Sequence, residues 1–251
     1  MSVDAVVLAG GNLKGISGEN VPTKGMIKFG DKPMVEYVID VLKGCSDIGG
    51  VAVIVPSSVS PGDWSQRADK VLMGDNSLTE NIYAGMSYLK PEGYFLVVSA
   101  DVPLITSSIV GKFIKKCQKI DADIYYPIIS REEMNAKFPG TKRTYARLKE
   151  GDFTGGNLGL IDSRVFEKNR DFIEKVYSLR KSPFKLAQIL GFGFILKFLL
   201  GFATVSEAEK KFSALVNAKS VTIVSDAEIG IDVDKDADLT YVKEMISKRE
   251  R

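Results

Sequence analysis

Short apolar runs alternate with longer stretches of mixed polarity through the first half of the chain. The runs are rich in Val and Ile and predict strands at Val3–Leu8, Val51–Val55, Tyr94–Ser99 and Asp123–Ile129. Apolar residues at helical spacing predict helices at Lys32–Leu42, Leu78–Leu89 and Ser107–Lys119. This alternation predicts an α/β fold, a doubly wound and mostly parallel sheet flanked by helices. In such a sheet the ligand site lies at the carboxyl ends of the strands.

The pattern changes after Ile129, where dense charge is followed by a glycine-rich turn. Beyond that turn we expect a strand at Asn157–Ile161, a helical region at about 164–215, a strand at Val221–Val224 and a C-terminal helix. The sequence contains no internal repeat and no low-complexity segment. We therefore predict a single domain, 1–251, whose first half is 1–130 and whose second half, 131–251, carries a helical elaboration.

The composition narrows the chemistry, because the chain of 251 residues contains no histidine. That excludes Ser-His-Asp and Cys-His catalysis and every histidine-ligated metal site, and leaves carboxylates, lysines, arginines and backbone amides. The 34 basic and 32 acidic residues give a net charge of +2, so no global field attracts nucleic acid. Cys45 and Cys117 lack metal-ligand spacing, and the N-terminus lacks the features of a signal peptide. We therefore expect reduced thiols in a cytoplasmic protein.

Ala9, Gly10 and Gly11 follow the first predicted strand without forming a G-x-G-x-x-G motif or a P-loop. Glycines at this place allow backbone N–H groups to approach a ligand closely. Twelve residues separate Gly11 from Lys24, and Lys14 lies between them, so either lysine could supply positive charge to the same anion. The alternative is a plain turn followed by ordinary surface lysines.

Asp101 follows an apolar predicted strand in the segment YFLVVSADVPLI. A carboxylate at that place loses hydration unless a cation or hydrogen-bond donors meet it. It lies too far before Ser107 to cap the following helix, and we therefore favour a Mg²⁺ ligand.

Asp232 and Asp234 alternate with apolar residues in the segment IGIDVDKDADL, so they share the polar face of an extended stretch whose other face is buried. The next two acids, Asp236 and Asp238, suit a solvated helix start, where acids complement the helix dipole. An EF-hand loop does not fit, because its glycine and its terminal glutamate are missing.

Three motifs in this order resemble those of the molybdopterin guanylyltransferase-like (MobA-like) nucleotidyltransferases: LAGG with its distant lysine and GDKPMVEYVID, then SADVPLI, then IDVDKDADL. The resemblance spans Val3 to about Ile129 and returns at Ile229–Leu239, about half of the chain. It implies a Rossmann-like GT-A fold. It also implies a Mg²⁺-dependent transfer of a nucleoside monophosphate unit from a nucleoside triphosphate to an acceptor, with release of pyrophosphate. The motifs are specific for the superfamily and not for any acceptor.

The resemblance assigns nucleotide binding to 1–130 and acceptor binding to 131–251. It makes Lys24 the phosphate-binding lysine and Asp101 with Asp234 the metal ligands, with Asp232 as the next candidate. The nucleotide-binding residues that it implies are Leu8, Ala9, Gly10, Gly11, Asn12, Lys14, Lys24, Gly74 and Asn81, the last two beside the base. The loop before Lys24 departs from the family, because it is longer and lacks the usual arginine, which Lys14 could replace.

A second glycine pair, Gly155 and Gly156, precedes Asn157 in the segment FTGGNLGLID. These residues suit close approach of an acceptor and orientation of its hydroxyl, although a bulge at the start of a strand explains them too. Lys142, Arg143 and Arg147 could bind an acceptor phosphate, although a solvated loop explains them equally well. We expect a small phosphorylated acceptor, since a phosphate monoester is already anionic near neutral pH and needs no strong general base.

The segment KLAQILGFGFILKFLLGFA, Lys185–Ala203, is nearly all apolar. Its glycines and the central Lys197 argue against a transmembrane helix, and we expect that it does not span a bilayer. We interpret it as a buried packing helix or a homodimer contact. The next alternative is a surface that docks on a membrane or on a lipid-linked acceptor.

Two other functions stay open at this point. Within the same superfamily the chain could transfer a guanylyl or cytidylyl unit to a molybdenum cofactor. From a different class, it could be a catalytically silent nucleotide-binding regulator, although Asp101 and Asp234 argue against silence. The sequence does not specify which base is bound.

Overall fold

The computed structural model describes residues 2–75, 77–179 and 189–249. Its strands are β1 (Val3–Leu8), β2 (Lys28–Phe29), β3 (Lys32–Pro33), β4 (Ile48–Val55), β5 (Lys70–Met73), β6 (Tyr94–Ser99), β7 (Ile124–Ser130), β8 (Ala146–Leu148), β9 (Gly151–Gly155), β10 (Leu158–Asp162) and β11 (Ser220–Val224). Among these described residues, nine strands form one sheet in the order β5-β4-β1-β6-β10-β7-β9-β8, and the ninth strand, β11, pairs in parallel with β7. The short strands β2 and β3 form a separate hairpin.

The helices of the same residues are α1 (Met34–Lys43), α2 (Leu78–Leu89), α3 (Ser107–Cys117), α4 (Arg131–Lys137), α5 (Ser163–Leu179), α6 (Phe192–Leu199), α7 (Val205–Val216) and α8 (Asp236–Arg249). Four of them begin after a Ser or Thr whose hydroxyl accepts a backbone N–H of the first turn: Ser77, Thr106, Ser130 and Thr204. Such caps satisfy donors that the helix itself leaves unpaired, and they fix where each helix begins.

The apolar strands are continuous runs because both faces of the sheet are covered. On one face, Val7 and Val53 belong to a buried cluster that includes the inner sides of α1 and α3. On the other face, Val6 and Ile54 pack with α2 and with Phe166 of α5. The helices therefore lie in two layers around the sheet, and the core follows the parallel strands β4, β1 and β6.

The predicted mixed, mostly parallel sheet flanked by helices is confirmed. β5, β4, β1 and β6 pair in parallel, and β10 enters antiparallel between β6 and β7. Of the nine described strands in this sheet, only β9 and β10 oppose the common direction. The carboxyl ends of β1 and β6 thus lie side by side, with Leu8 paired to Ser99.

The sequence pattern predicts the buried elements better than the exposed ones. The predicted strands Val3–Leu8 and Tyr94–Ser99 and the helix Leu78–Leu89 have the observed bounds. β5, the β8–β9 hairpin and α4 were not predicted. β5 is a four-residue edge strand without a buried residue, and the hairpin is polar, so neither carries the apolar run by which strands are detected.

The apolar segment after α5 is not a buried packing helix over its described part, so that interpretation is wrong there. Its helix α6 contains no buried residue. Within the described residues, no helix combines the length and the apolar character needed to cross a membrane. The first four residues of the predicted segment, 185–188, lie outside the described residues.

Candidate active site

A cleft of about 650 Å³ opens at the carboxyl ends of β1 and β6. It brings together predicted site residues from distant parts of the chain: Leu8, Gly10, Gly11, Asn12, Lys24, Gly74, Asn81, Asp101, Asn157, Asp232 and Asp234. Both ends of the sequence therefore contribute to one cavity, at the place that the strand order predicts for a ligand.

The loop after β1 is closed by a backbone hydrogen bond. The N–H of Lys24 donates to the carbonyl oxygen of Gly11 at 2.8 Å, and Lys24 then begins a 3₁₀ turn, Lys24–Met26. This closure returns the chain to the end of β1 and turns the lysine side chain into the sheet end. Lys24 is only 8% exposed, so it is not the surface lysine of the alternative interpretation.

The ammonium group of Lys24 joins two carboxylates. Its Nζ lies 2.8 Å from Oδ2 of Asp101 and 2.5 Å from Oδ1 of Asp234. Burial lowers the pKa of Lys24, but the charges and hydrogen bonds of the two aspartates outweigh it and hold the pKa above its ordinary value. The lysine therefore stays charged at every physiological pH.

Asp101 is fixed from two sides. The hydroxyl of Ser99 donates to its Oδ1 at 2.5 Å, and the backbone N–H of Val233 donates to its carbonyl oxygen at 3.0 Å. The second bond attaches the segment that carries Asp232 and Asp234 to the end of β6. Ile231 and Val233, which alternate with the two acids along the chain, are fully buried, as the pattern predicts.

Asp232 is paired with Arg143, whose side chain is largely buried. Burial raises the pKa of Asp232 to about 6, because the attraction of Arg143 does not outweigh burial and the repulsion from Asp101 and Asp234. Burial also raises the pKa of Asp234, but the hydrogen bond and the charge of Lys24 outweigh burial and hold this pKa below the ordinary range. Three carboxylates thus face two cationic side chains, which leaves the site acidic.

Asp101, Asp232 and Asp234 form the acidic cluster of the site, and one oxygen of each lies within 4.8 Å of the others. Carboxylate oxygens are the hard ligands that Mg²⁺ prefers, and two or three of them commonly share one ion. The set therefore fits a divalent cation in donor chemistry and spacing, and its excess negative charge would be neutralised by one.

The far side of the cleft is closely packed around Gly74. A Cβ atom at this position would lie 2.4 Å from Oδ1 of Asn81 and 2.5 Å from Cγ2 of Ile54. Any other residue would have to displace the side chains of Asn81 and Ile54. Gly74 therefore sets the shape of the cleft wall, which is where the family resemblance expects the base.

A smaller cavity of about 200 Å³ adjoins the cleft and shares Asn157, Asp232 and Asp234 with it. Its other lining residues include Lys142, Arg143, Thr154, Gly155, Lys235 and Asp238. The amide nitrogen of Asn157 donates to the carbonyl oxygen of Ile229 at 3.2 Å, which fixes the side chain between the two cavities.

Four predicted residues do not line either cavity. Ala9 is buried, Lys14 is exposed, and a Cβ atom at Gly156 would collide with Ile229 and Pro127, so this glycine packs against them. The side chain of Arg147 is 77% exposed on β8 and approaches Asp152 at 3.8 Å.

Ser99 and Asp238 were missed by the sequence analysis. Ser99 alternates with Asp101, so the two-residue period at the strand end is a signal for it. Asp238 was interpreted as a solvated helix acid, but it is 8% exposed. It accepts the backbone N–H groups of Asp234 and Lys235 and pairs with Arg143 at 3.3 Å, which no local pattern reveals.

Comparisons with known proteins agree with this geometry. The MobA-like NTP transferase domain family matches residues 5–174. Molybdenum cofactor guanylyltransferases from Shewanella pealeana and Shewanella woodyi are 29% and 27% identical over 126 and 127 residues, 49% of this chain. The match covers 59% and 61% of those relatives, so this chain matches about three fifths of their length.

Solved structures match over nearly the whole chain. A hypothetical transferase from Thermus thermophilus is 32% identical, with a TM-score of 0.82 over 95% of this chain and 100% of that one. The 2-C-methyl-D-erythritol 4-phosphate cytidylyltransferase of Thermus thermophilus is 12% identical, with a TM-score of 0.59 over 98% of this chain and 100% of that one. At that identity the second likeness shows the fold alone.

Proposed function

The chain belongs to the MobA-like NTP transferase domain family, and we propose that it transfers a nucleoside monophosphate unit from a nucleoside triphosphate to a small phosphorylated acceptor. Pyrophosphate is the second product. The observation that carries the proposal is the buried ammonium of Lys24, held between Asp101 and Asp234 beside the glycine loop. A cation and a metal-binding set of carboxylates at one sheet end suit a triphosphate.

The protein's own residues bind and orient the triphosphate. Gly10 and Gly11 line the cleft without side chains, so phosphate oxygens can approach the backbone closely. Lys24 lies under the same loop and supplies positive charge to phosphate oxygens, including those that gain charge in the transition state. This lysine is buried and already charged, so its positive charge is present in the cleft before the substrate arrives.

Mg²⁺ fits the acidic cluster and would be held by Asp101, Asp234 and Asp232. When bound, it neutralises phosphate charge and stabilises the leaving pyrophosphate. Arg143 and Ser99 orient the carboxylates that would bind the metal. The guanidinium of Arg143 holds Asp232, and the hydroxyl of Ser99 holds Asp101.

The smaller cavity suits the acceptor, because it meets the cleft at Asn157 and the acidic cluster. Lys142 and Lys235 line it and supply positive charge for a phosphate monoester. The acceptor phosphate is itself the nucleophile, which attacks the α-phosphate in line, so the absence of histidine does not hinder the reaction. Arg147 is less suited to this role, since its side chain is largely exposed and lines neither cavity.

The second candidate, guanylyl transfer to a molybdenum cofactor, is favoured by the names of the curated relatives. Those matches extend over about half of this chain. They therefore support a similarity of the matched half and do not identify the acceptor. The acceptor assay below therefore includes molybdopterin beside sugar phosphates and polyol phosphates.

The test is pyrophosphate release by the full chain with Mg²⁺, each of the four ribonucleoside triphosphates and each acceptor in turn. We expect release that requires one triphosphate and one phosphorylated acceptor, and its loss in Lys24→Ala. Lys28→Ala is the matched control, since Lys28 is a nearby exposed lysine outside the cleft. Saturable nucleotide binding without pyrophosphate release for any acceptor would favour the silent regulator.

A further inference from the structure

Helix α6 presents its apolar side to solvent. Leu196, Leu199 and Leu200 recur at helical spacing and are 60%, 66% and 58% exposed, and the following Phe202 is 64% exposed. These four residues are called the α6 surface below. A helix on the surface of a globular protein normally keeps its apolar residues inward, whereas α6 is apolar nearly all round and leaves these residues in contact with water. Contiguous exposed apolar patches mark interaction sites.

The position of α6 is fixed by Lys197 and by the turn that follows the helix. The side chain of Lys197 forms an ion pair with Glu207 of α7. The carbonyl oxygen of Lys197 accepts the backbone N–H groups of Phe202 and Ala203 and thereby closes the end of the helix. Ala203 is buried, so the chain is anchored immediately after the exposed residues.

Basic residues surround the α6 surface. Lys149 donates its backbone N–H to Ala203, and the stem of Arg147 lies against Gly201, where a Cβ atom would be 2.8 Å from Cδ of the arginine. Lys211 lies at the other end, beside Gly191. Lys149 and Lys211 are exposed, and neither forms an ion pair with a residue of the described part of the chain.

The nearby acids do not cancel this charge. Glu207 is already paired with Lys197, and Glu150, which accepts the backbone N–H of Val205 and keeps its charge, offsets only one of the three basic residues Arg147, Lys149 and Lys211. Asp152 approaches Arg147 only at 3.8 Å and also pairs with Arg131. The surface is therefore apolar at its centre and net basic at its edge.

We propose that the α6 surface docks in the plane of an anionic phospholipid bilayer. Leucine and phenylalanine side chains enter the boundary between headgroups and acyl chains, while the surrounding lysines and Arg147 meet lipid phosphates. The charge at the edge decides against a second copy of the chain, because two copies joined at this surface would bring like charges together. An anionic bilayer matches both the apolar centre and the basic edge.

Docking at this surface places the acceptor side of the protein next to the lipid. Arg147 belongs to β8, and β8 pairs with β9, which ends at Gly155 in the smaller cavity. An acceptor phosphate at the membrane surface would then reach the site along this hairpin. The docking itself is independent of the proposed transfer, since it requires none of the cleft residues.

The test is co-sedimentation of the full chain with vesicles of phosphatidylglycerol and phosphatidylcholine in equal parts, and with phosphatidylcholine alone. We expect binding to the anionic vesicles that falls about fivefold with Lys211→Gln and again with Lys149→Gln, each of which removes one basic charge. Leu196→Ser with Leu199→Ser should reduce binding at least tenfold. Lys119→Gln and Val224→Ser are matched controls, since both residues are exposed elsewhere and should leave binding unchanged.

Three outcomes would overturn the proposal. One is binding that is absent or equal for both vesicle types, and another is binding that the leucine variant does not change. The third is a dimer in sedimentation equilibrium that the leucine variant dissociates, which would assign the surface to a second copy. Thermal melting of each variant checks its folding. Vesicle binding is compared with that of the wild type for variants that melt at the same temperature.

Discussion

The backbone N–H of Val233 donates a hydrogen bond to the carbonyl oxygen of Asp101, and this bond joins two segments that lie more than half the chain apart. It places Asp234, the next residue, opposite the carboxylate of Asp101. Lys24 then bridges the pair. The backbone therefore brings the two residues together, while Ser99, Arg143 and Lys24 orient the carboxylates of the acidic cluster.

From this arrangement we expect Asp101→Asn and Asp234→Asn each to lower the rate of pyrophosphate release by about 10²-fold or more, since several kcal/mol of charge stabilisation is lost. The double variant should be little worse than the worse single one, because the two carboxylates act as a unit. Asp121→Asn, at an exposed position away from the cleft, is the control. Independent, multiplying effects of the two substitutions would contradict a shared role.

Lys24→Ala should lower kcat/KM for the triphosphate by at least about 10²-fold, because a preorganised cation is lost. The burial of Lys24 adds a second expectation, a loss of about 1–3 kcal/mol in the free energy of unfolding without Mg²⁺, since carboxylates are left unpaired. Added Mg²⁺ should raise the melting temperature of this variant more than that of the wild type. The control Lys28→Ala should show neither effect. An unchanged kcat/KM for Lys24→Ala would show that Lys24 does not bind the phosphates.

Gly74→Ala should weaken nucleotide binding by about tenfold or more, because its Cβ atom would collide with Asn81 and Ile54 and deform the cleft wall. Isothermal calorimetry with the preferred triphosphate measures this. Gly193→Ala provides the control, since a Cβ atom there meets nothing within 4 Å. Equal affinity of Gly74→Ala and wild type would place the base elsewhere.

Asp162→Ala should destabilise the protein by about 1–3 kcal/mol at pH 7, because the buried carboxylate accepts hydrogen bonds from the backbone and guanidinium of Arg164 at the start of α5. The hydrogen bond from the Arg164 side chain lowers the pKa of Asp162 in the folded state, against the opposing effect of burial. A carboxylate whose pKa is lower in the folded than in the unfolded protein stabilises the folded protein at pH values above its unfolded pKa of about 3.9. This contribution is lost as the pH falls through the folded pKa.

Urea unfolding at pH 7 and at successively lower pH measures this difference for Asp162→Ala. The gap between variant and wild type should narrow below about pH 4. Asp171→Asn, an exposed acid on the same helix, should leave the stability unchanged at each pH. A gap that stays constant down to the lowest pH would show that the carboxylate charge is not involved.

The sequence predicts the parallel half of the fold because burial on both faces leaves continuous apolar runs between helices of ordinary spacing. It also points to Lys24, Asp101 and Asp234 as separate candidates. It cannot place Arg143 between Asp232 and Asp238, since that contact joins positions 89 and 95 residues apart through a polar loop. Local patterns detect burial and periodicity, and they carry no information on which distant charges meet.

The exposure of the α6 segment also could not be predicted from the sequence. Its composition predicts burial, because apolar side chains usually leave water when the chain folds. The structure exposes its leucines, and only the three-dimensional neighbours, Lys149 and Lys211, indicate what could cover them. Hydrophobicity alone does not distinguish a core helix from an interfacial one.

The hydrogen bond from Lys24 to Gly11 also bears on how this protein family can vary. The bond joins both ends of the loop, and the twelve residues between them are attached again near their middle, where Gly15 accepts the backbone N–H of Asp236 and Ile16 is buried. Lengthening such a closed loop costs little, about 0.6 kcal/mol for each doubling. Insertions and deletions on either side of that attachment are therefore a route by which relatives can differ in this loop while the lysine keeps its place at the end of β1.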